Sequence, residues 1–378
     1  VKSFRARLDE LESAGLLRTL RAIQGAPGAR VRIEGRDVVN FASNNYLALA
    51  EDPRVREAAA EAAREWGAGA TASRLLGGTL EVHGRLEDAV AKFKRTEAAA
   101  VFPSGWHANT GLLPALAGPE DTVLLDRLAH ASLVDGARLT RASFRVFRHN
   151  DLEDLEGALR RRPARGAVWI VTESVFSMDG DTAPLRGIVS LAKQHGASVY
   201  VDEAHATGVY GPDGRGWVNA EAVETQVDVC MGTFSKALGS LGGFACGSYD
   251  FVEWVHNRCR SFIYSTALPP ASAAAALKAL EIAQAEPQRR ERVFALAARL
   301  RKGLGLPEGG PVVPLVVGGE KETLELSRRF WEAGIFAPAV RPPTVPKGTS
   351  RIRFSVTAGH TESEIDRALD VYRSTPPA

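Results

Sequence analysis

Cysteine is scarce. Cys230, Cys246 and Cys259 are the whole complement of a 378-residue chain. Their number is odd, and their spacing builds neither a metal centre nor a disulfide framework. All three are therefore expected as small buried apolar groups in a reducing compartment, the cytoplasm. Charge of one sign is also scarce. A formal net charge of +2 leaves no footprint for nucleic acid or another polyanion. No apolar run approaches the length that crosses a membrane. The opening VKSFRARLDELESAG has no apolar centre of the kind a secretory leader needs. Internal repeats and low-complexity stretches are absent too. What remains is ordinary globular composition, 45% hydrophobic and 24% charged, in a chain long enough for a large core and two domains.

The informative stretch lies between residues 197 and 247. ASVYVDEAHATGVYG contains a β-branched run, Val199 to Val201, that ends on Asp202, Glu203 and His205. A second run, from Val227 to Gly232, ends on Thr233, Phe234, Ser235 and Lys236, followed by glycines. Both read as buried strands with their polar groups at the C-terminal ends, where ligands bind in open α/β sheets. These side chains suit pyridoxal phosphate. Its aldehyde needs a lysine amine, here Lys236, and its pyridine nitrogen needs a carboxylate partner, here Asp202. His205 is near enough in sequence to meet the ring oxygen, and Thr233 and Ser235 are donors for the phosphate.

The rest of the chain alternates strands and helices, which predicts parallel strands with helices on both faces. Phe4, Leu8 and Leu11 share one helical face, closed by Gly15, and Leu16 to Ile23 continue the apolar pattern. RVRIEGRDVVNF reads as two strands around Gly35, and Pro53 starts a helix running towards Trp66. Gly67-x-Gly69-x-x-Ala72 superficially matches a dinucleotide fingerprint, but a helix precedes it where a strand is required, so it is set aside. Thr79 is the expected cap of the next helix. Residues 98 to 102 form a strand leading to Ser104 and Gly105 at a helix start, a phosphate cradle by geometry, with Trp106 at its mouth. The strand DTVLLD is followed by His130, placed either to stack on a flat cofactor or simply to cap. Residues 144 to 147 and 167 to 171 are further strands. The second leads through Thr172, Glu173 and Ser174 to a loop with Ser177 and Asp179. GGFACG is a strand beside the lysine strand. A helix is expected over 251 to 264, and one long helical stretch from Ala271 to about Gly303. VVPLVV and RIRFSV are strands of a smaller α/β unit, and the last helix begins near Thr361.

SNNYL, SRLLGGTLEVHGRLE, FPSGWHAN, DRLAHASLVDG, ESVFSMDGD, VDEAHATGVYG, TFSKALG, YSTALPP and RPPTVPKGTSRIRFSVTAGHT occur in that order. Together they closely resemble the α-oxoamine synthases, which are fold-type I pyridoxal-phosphate transferases, over essentially the whole chain. The resemblance implies an N-terminal segment (1–42), a large cofactor-binding domain (43–270) with a mostly parallel sheet, and a smaller C-terminal α/β domain (271–378). It implies Lys236 as the cofactor lysine, Asp202 and His205 as ring partners and His130 as the stacking group. Gly105, Trp106, Ser177 and Thr233 become cofactor contacts, with Trp106 standing where tyrosine or phenylalanine is common. Ser265 and Thr266 would reach the phosphate of a neighbouring subunit, hence a homodimer. Arg18, Asn44, Thr344 and Arg353 match substrate positions, Arg353 for a carboxylate. The implied reaction is a decarboxylative condensation of L-alanine with pimeloyl-CoA or a pimeloyl-acyl-carrier protein, giving the 8-amino-7-oxononanoate of biotin synthesis. Sister reactions with glycine or serine differ by little in pocket chemistry. VDEAH also looks like a nucleotide-driven helicase motif, but the required phosphate loop is missing. A non-catalytic binder on the same scaffold is disfavoured by the joint presence of Lys236, Asp202 and His205.

Overall fold

The computed structural model describes residues 2–14, 16–162 and 165–374. The expected helix stop at Gly15 lies outside them. Seven strands make the central sheet: β4 (Ala98–Phe102), β5 (Thr122–Asp126), β6 (Ser143–Phe147), β7 (Val168–Glu173), β8 (Ser198–Asp202), β9 (Val229–Thr233) and β10 (Gly243–Gly247). Their spatial order is β4-β10-β9-β8-β7-β5-β6. Only β10 runs against the others, pairing antiparallel with both β4 and β9.

The pleat sorts alternate residues to opposite faces. Val199 and Val201 of β8 pack with Ile188 and Val189 of the helix Leu185–His195. Tyr200, between them, packs on the other side with Leu112 of the helix Gly105–Leu116. Near the lysine strand, Val101, Cys230 and Phe244 face a layer made by Glu81–Lys94 and Pro270–Ala285. A sheet buried on both faces explains why its strands read as continuous apolar runs. The expected fold class and all three buried thiols are as found.

Two smaller sheets flank this one. β1 (Ile23–Gln24), β2 (Arg30–Ile33), β3 (Arg36–Asn40) and β12 (Ile335–Phe336) form the first; β11 (Val312–Gly318), β14 (Ser350–Ser355) and β13 (Ala339–Val340) form the second. The helix Phe4–Ser13 buries none of its residues, and Phe4 is 83% exposed. Residues 16–22 are not helical; they form an irregular strap.

Three local expectations need correction. The stretch 271–303 is two helices, Pro270–Ala285 and Gln288–Gly303, because Pro287 has no amide proton to carry the hydrogen-bond ladder through. The helix expected over 251–264 breaks at Cys259, whose backbone is extended (φ −78°, ψ 106°). That break lets Ser261 donate to the His107 carbonyl at 2.6 Å. Thr79 does not cap: its hydroxyl donates to Arg74 O, and Leu80 is the cap residue, with its N–H donating to His83 Nδ1.

Candidate active site

The C-terminal ends of β7, β8 and β9 deliver the polar cluster. Asp202 closes β8 and is 4% exposed. Its Oδ1 accepts from Ala204 N at 2.8 Å and its Oδ2 from Asn109 Nδ2 at 2.8 Å. Asn109 is fixed in turn, its Oδ1 accepting from Tyr200 OH at 2.7 Å. The same Asn109 Nδ2 reaches Ser132 Oγ at 2.9 Å, and that hydroxyl lies 2.7 Å from His130 Nδ1. A single hydrogen-bonded chain thus joins the Asp202 carboxylate to His130. His130 is also the cap of the helix Ala131–Leu139, accepting from Ser132 N, as its capping reading expects. Desolvation by the surrounding protein, with Lys236 adding to it, holds His130 below the usual imidazole range.

His205 follows Asp202 by three residues and is buried. Burial, with Lys236 and Arg353 adding to it, drives its imidazole well below the usual range. A neutral ring lies with Nδ1 2.7 Å from Tyr46 OH; in the tautomer whose Nδ1 accepts from that hydroxyl, Nε2 carries the proton and is a donor suited to a phenolate oxygen. Lys236 follows β9. Burial is the main cause of its drop to about 8, with Arg353 lowering it further against Asp202 and Glu173. Part of the amine is therefore uncharged near neutrality, as a nucleophile or base must be.

Thr233 and Gly105 come together across β9 and the start of the helix Gly105–Leu116, with Trp106 next along the helix. A Cβ built on Gly105 would stand 2.9 Å from Met231 Cε and 3.6 Å from Thr233 Cβ. The glycine therefore lets the N-terminus of the helix Gly105–Leu116 approach the lysine strand, leaving its amides for an anion. Ser104 caps this helix from His107 N. Ser235 and Thr233 share a hydroxyl contact at 3.0 Å, with Ser235 exposed. Trp106 meets His130 edge-on at 6.0 Å.

The expected substrate residues fall into two pairs. Arg353 Nη1 donates to Asn44 Oδ1 at 3.1 Å, and Arg18 Nη2 lies 3.4 Å from Thr344 Oγ1. Arg353 also donates through Nε to the carbonyl of Ser177, which enters the site by its backbone. Its Nη1 also donates to Ser355 Oγ at 2.6 Å, and among the described residues Nη2 has one contact, to Tyr46 OH at 3.4 Å, so Nη2 is the nitrogen left for a carboxylate. Ser265 and Thr266 stand apart, on a segment bridged to Ser73. Among the described residues no cluster suits a metal ion.

Several groups escaped the sequence reading. Tyr46, Asn109 and Ser132 join the site only through tertiary contacts, although Asn109 follows Gly105 by one helical turn. Glu173 sits beside Asp202 in register, 3% exposed, with Oε1 unpartnered. Burial and the Asp202 charge push its carboxyl up to about 8. The hydroxyl of the next residue, Ser174, is buried and unpartnered as well. Orphaned buried polar atoms, a part-neutral lysine, a fixed carboxylate, a neutral imidazole donor and an open helix N-terminus fit pyridoxal phosphate.

His149 was also missed. Its Nδ1 meets Asp126 Oδ1 at 2.9 Å and its Nε2 meets Asp181 Oδ2 at 2.7 Å, tying the end of β5 to the turn that carries Ser177. Burial opposes the charge, but the two carboxylates win and raise the imidazole to about 10. A folded value above the unfolded one of about 6.5 means that the stabilisation is complete below the unfolded value and is lost as pH rises through about 10. His149→Ala is expected to cost about 1–3 kcal/mol at neutral pH by removing the cation from between two acids, which keep Leu128 N and Asn150 as donors. Urea unfolding at neutral pH and above the folded value measures it, and equal losses at both would contradict the assignment.

The aminotransferase class I and II family profile matches residues 36–371. The chain is 47% identical to the 8-amino-7-oxononanoate synthase of Anaeromyxobacter dehalogenans strain 2CP-1, over 98% of this chain and 95% of that one. A variant of serine palmitoyltransferase from S. paucimobilis, solved with bound PLP–myriocin aldimine, superposes with a TM-score of 0.93 at 34% identity, over 98% of this chain and 96% of that one. The 8-amino-7-oxononanoate synthase of Francisella tularensis superposes with a TM-score of 0.77 at 26% identity, over 88% and 96%. The chain therefore belongs to the class I and II aminotransferase family, in its α-oxoamine synthase branch of fold-type I pyridoxal-phosphate transferases.

Proposed function

We propose that this protein joins L-alanine to a pimeloyl thioester with loss of carbon dioxide, forming 8-amino-7-oxononanoate and releasing the thiol carrier, coenzyme A or an acyl-carrier protein. The observation that carries the reading is the convergence of Lys236, Asp202 and His205 at the C-terminal edge of the central sheet with Arg353 of β14, close enough to act on the charges of Lys236 and His205. Pyridoxal phosphate, when bound, supplies an electron-accepting ring that stabilises negative charge at the amino acid's Cα.

The chain's own residues do the rest. Asp202, locked by Asn109 and Ala204, keeps a carboxylate for the pyridine N–H, and His205 offers its Nε2 proton to the ring oxygen. His130 supplies a flat face, and the amides of Gly105 and Trp106 with the hydroxyls of Thr233 and Ser235 hold the phosphate. Arg353 orients the amino-acid carboxylate, with Asn44 steadying the guanidinium. Lys236 takes the Cα proton, since its lowered basicity leaves free amine near neutral pH. In the same reading the protein is a cytoplasmic homodimer, and Ser265 and Thr266, remote from their own chain's cluster, serve the partner's phosphate.

The backbone match to serine palmitoyltransferase makes a serine-using synthase the second reading. A visible spectrum of the holoenzyme titrated with L-alanine, glycine and L-serine separates the two. L-Alanine should saturate at the lowest concentration, and addition of pimeloyl-CoA should then release thiol. Tightest response to L-serine, with no turnover of pimeloyl-CoA, would favour the second.

A further inference from the structure

Tyr46 is fully buried in the turn after β3, yet its hydroxyl is set among three polar groups. His205 Nδ1 lies 2.7 Å away, Asn44 Oδ1 3.3 Å and Arg353 Nη2 3.4 Å. Burial holds the phenol above its usual range although Arg353 opposes it, so the hydroxyl keeps a proton to give. A phenol donates once and accepts with its lone pairs. Arg353 can only donate, so it takes a lone pair. Asn44 Oδ1 can only accept, but it already takes Arg353 Nη1 at 3.1 Å and has Ser355 Oγ at 3.4 Å. The closest acceptor for the phenol proton is therefore His205 Nδ1. With the proton directed there, the imidazole's own proton stands on Nε2.

One hydroxyl thus touches both the arginine read as the amino-acid clamp and the histidine read as the ring-oxygen donor. A hydrogen bond accepted at its oxygen polarises an O–H and strengthens what it donates in turn. Among the described residues, Tyr46 OH is the one contact of Arg353 Nη2. A carboxylate arriving at Nη2 competes with Tyr46 for it, and the carboxylate prevails because charge-assisted bonds are the stronger.

We infer that Tyr46 is a positioning residue that couples the two ends of the site: it holds His205 in the tautomer that donates from Nε2, and it weakens that donor when a substrate carboxylate draws Arg353 away. This rests on the roles read above for His205 and Arg353 and adds how one informs the other. With the clamp empty, a strong donor at the ring oxygen lowers the pH at which the Lys236 nitrogen, once linked to the cofactor, gives up its proton. With the clamp full, that nitrogen keeps its proton to higher pH, which makes the linkage open to an incoming amine only when an amino acid is held. The titratable and charged groups that act on His205 are Lys236, Arg353 and His130, and those that act on Lys236 are Asp202, Glu173 and Arg353. All of them persist when the Tyr46 hydroxyl alone is removed.

The test follows the visible band of the holoenzyme against pH, with and without propionate, which carries alanine's carboxylate but no amine. Tyr46→Phe keeps the ring and its packing. Without propionate it should raise the midpoint of the transition by about half to one pH unit, the size of one hydrogen bond. Propionate should raise the wild-type midpoint and raise that of Tyr46→Phe less, because its charge acts on both proteins alike and only the wild type has a phenol to lose. His205→Ala should itself raise the midpoint, and Tyr46→Phe added to it should change nothing further. An unmoved midpoint in Tyr46→Phe, or an equal propionate shift in both proteins, overturns the inference and leaves the readings of His205 and Arg353 standing. If His205→Ala leaves the midpoint where it was, the ring-oxygen role of His205 falls and the inference with it, while the response to L-alanine still decides the synthase reading.

Discussion

Replacing Lys236 by alanine is expected to lower turnover by about four orders of magnitude, because one amine carries two duties. It is the covalent anchor for the cofactor aldehyde and the base for the Cα proton. Nothing nearby substitutes for it. His205 and His130 are both held neutral but are committed elsewhere, His205 Nδ1 to Tyr46 and His130 Nδ1 to Ser132. Glu173 is buried with its carboxyl pushed up to about 8, so below that pH it is a poor proton acceptor. Borohydride reduction followed by peptide mass mapping gives a readout independent of turnover. It should fix the cofactor to the peptide containing residue 236 in the wild type and to no peptide in Lys236→Ala. Cofactor fixed to another lysine, or activity within a hundredfold of wild type, would move the assignment.

The second large effect is expected from Asp202→Asn, with a loss of about a thousandfold. The substitution removes the negative charge that keeps a pyridine nitrogen protonated. It also disturbs a fixed network. Both carboxylate oxygens of Asp202 accept, one from Ala204 N and the other from Asn109 Nδ2. An amide in the same place must point its NH₂ at one of these donors, setting donor against donor. Either Ala204 N or Asn109 then turns, and Asn109 carries Ser132 and His130 with it. The variant should still bind amino acid and show a cofactor spectrum, with the loss concentrated in kcat. A variant within tenfold of wild type in kcat would show that Asp202 does not partner the ring.

The strands that end in these residues were legible because burial on both faces leaves continuous β-branched runs, broken only where chemistry begins. Lys236, Asp202 and His205 announce themselves in that way. Arg353 was legible only through the family resemblance, because its neighbour two residues earlier, Arg351, is the same kind of side chain on the same face and binds Asp179 instead. Asn109 and Tyr46 were not legible: each reaches a partner brought close only by folding, 93 residues away for Asn109 and 159 for Tyr46. The helix breaks at Cys259 and Pro287 had different causes. Pro287 is a local signal that an alanine-rich pattern on both sides obscured. Cys259 is a tertiary effect, set by where Ser261 meets the helix Gly105–Leu116.

The bond between Arg353 and Asn44 spans 309 residues, about twice the span that closes the central sheet between β4 and β10, and this favours an order of assembly. The central sheet, with Lys236 and Asp202 at its edge, closes through neighbours within its own stretch of chain. The carboxylate clamp exists only once the last strand of the chain has come back to a turn near its beginning. Contacts of such separation form late, because their loop entropy is repaid by few local contacts. During synthesis a cofactor pocket can therefore exist before the clamp that admits an amino acid, so holding the coenzyme and selecting the substrate are successive acquisitions of one folding chain.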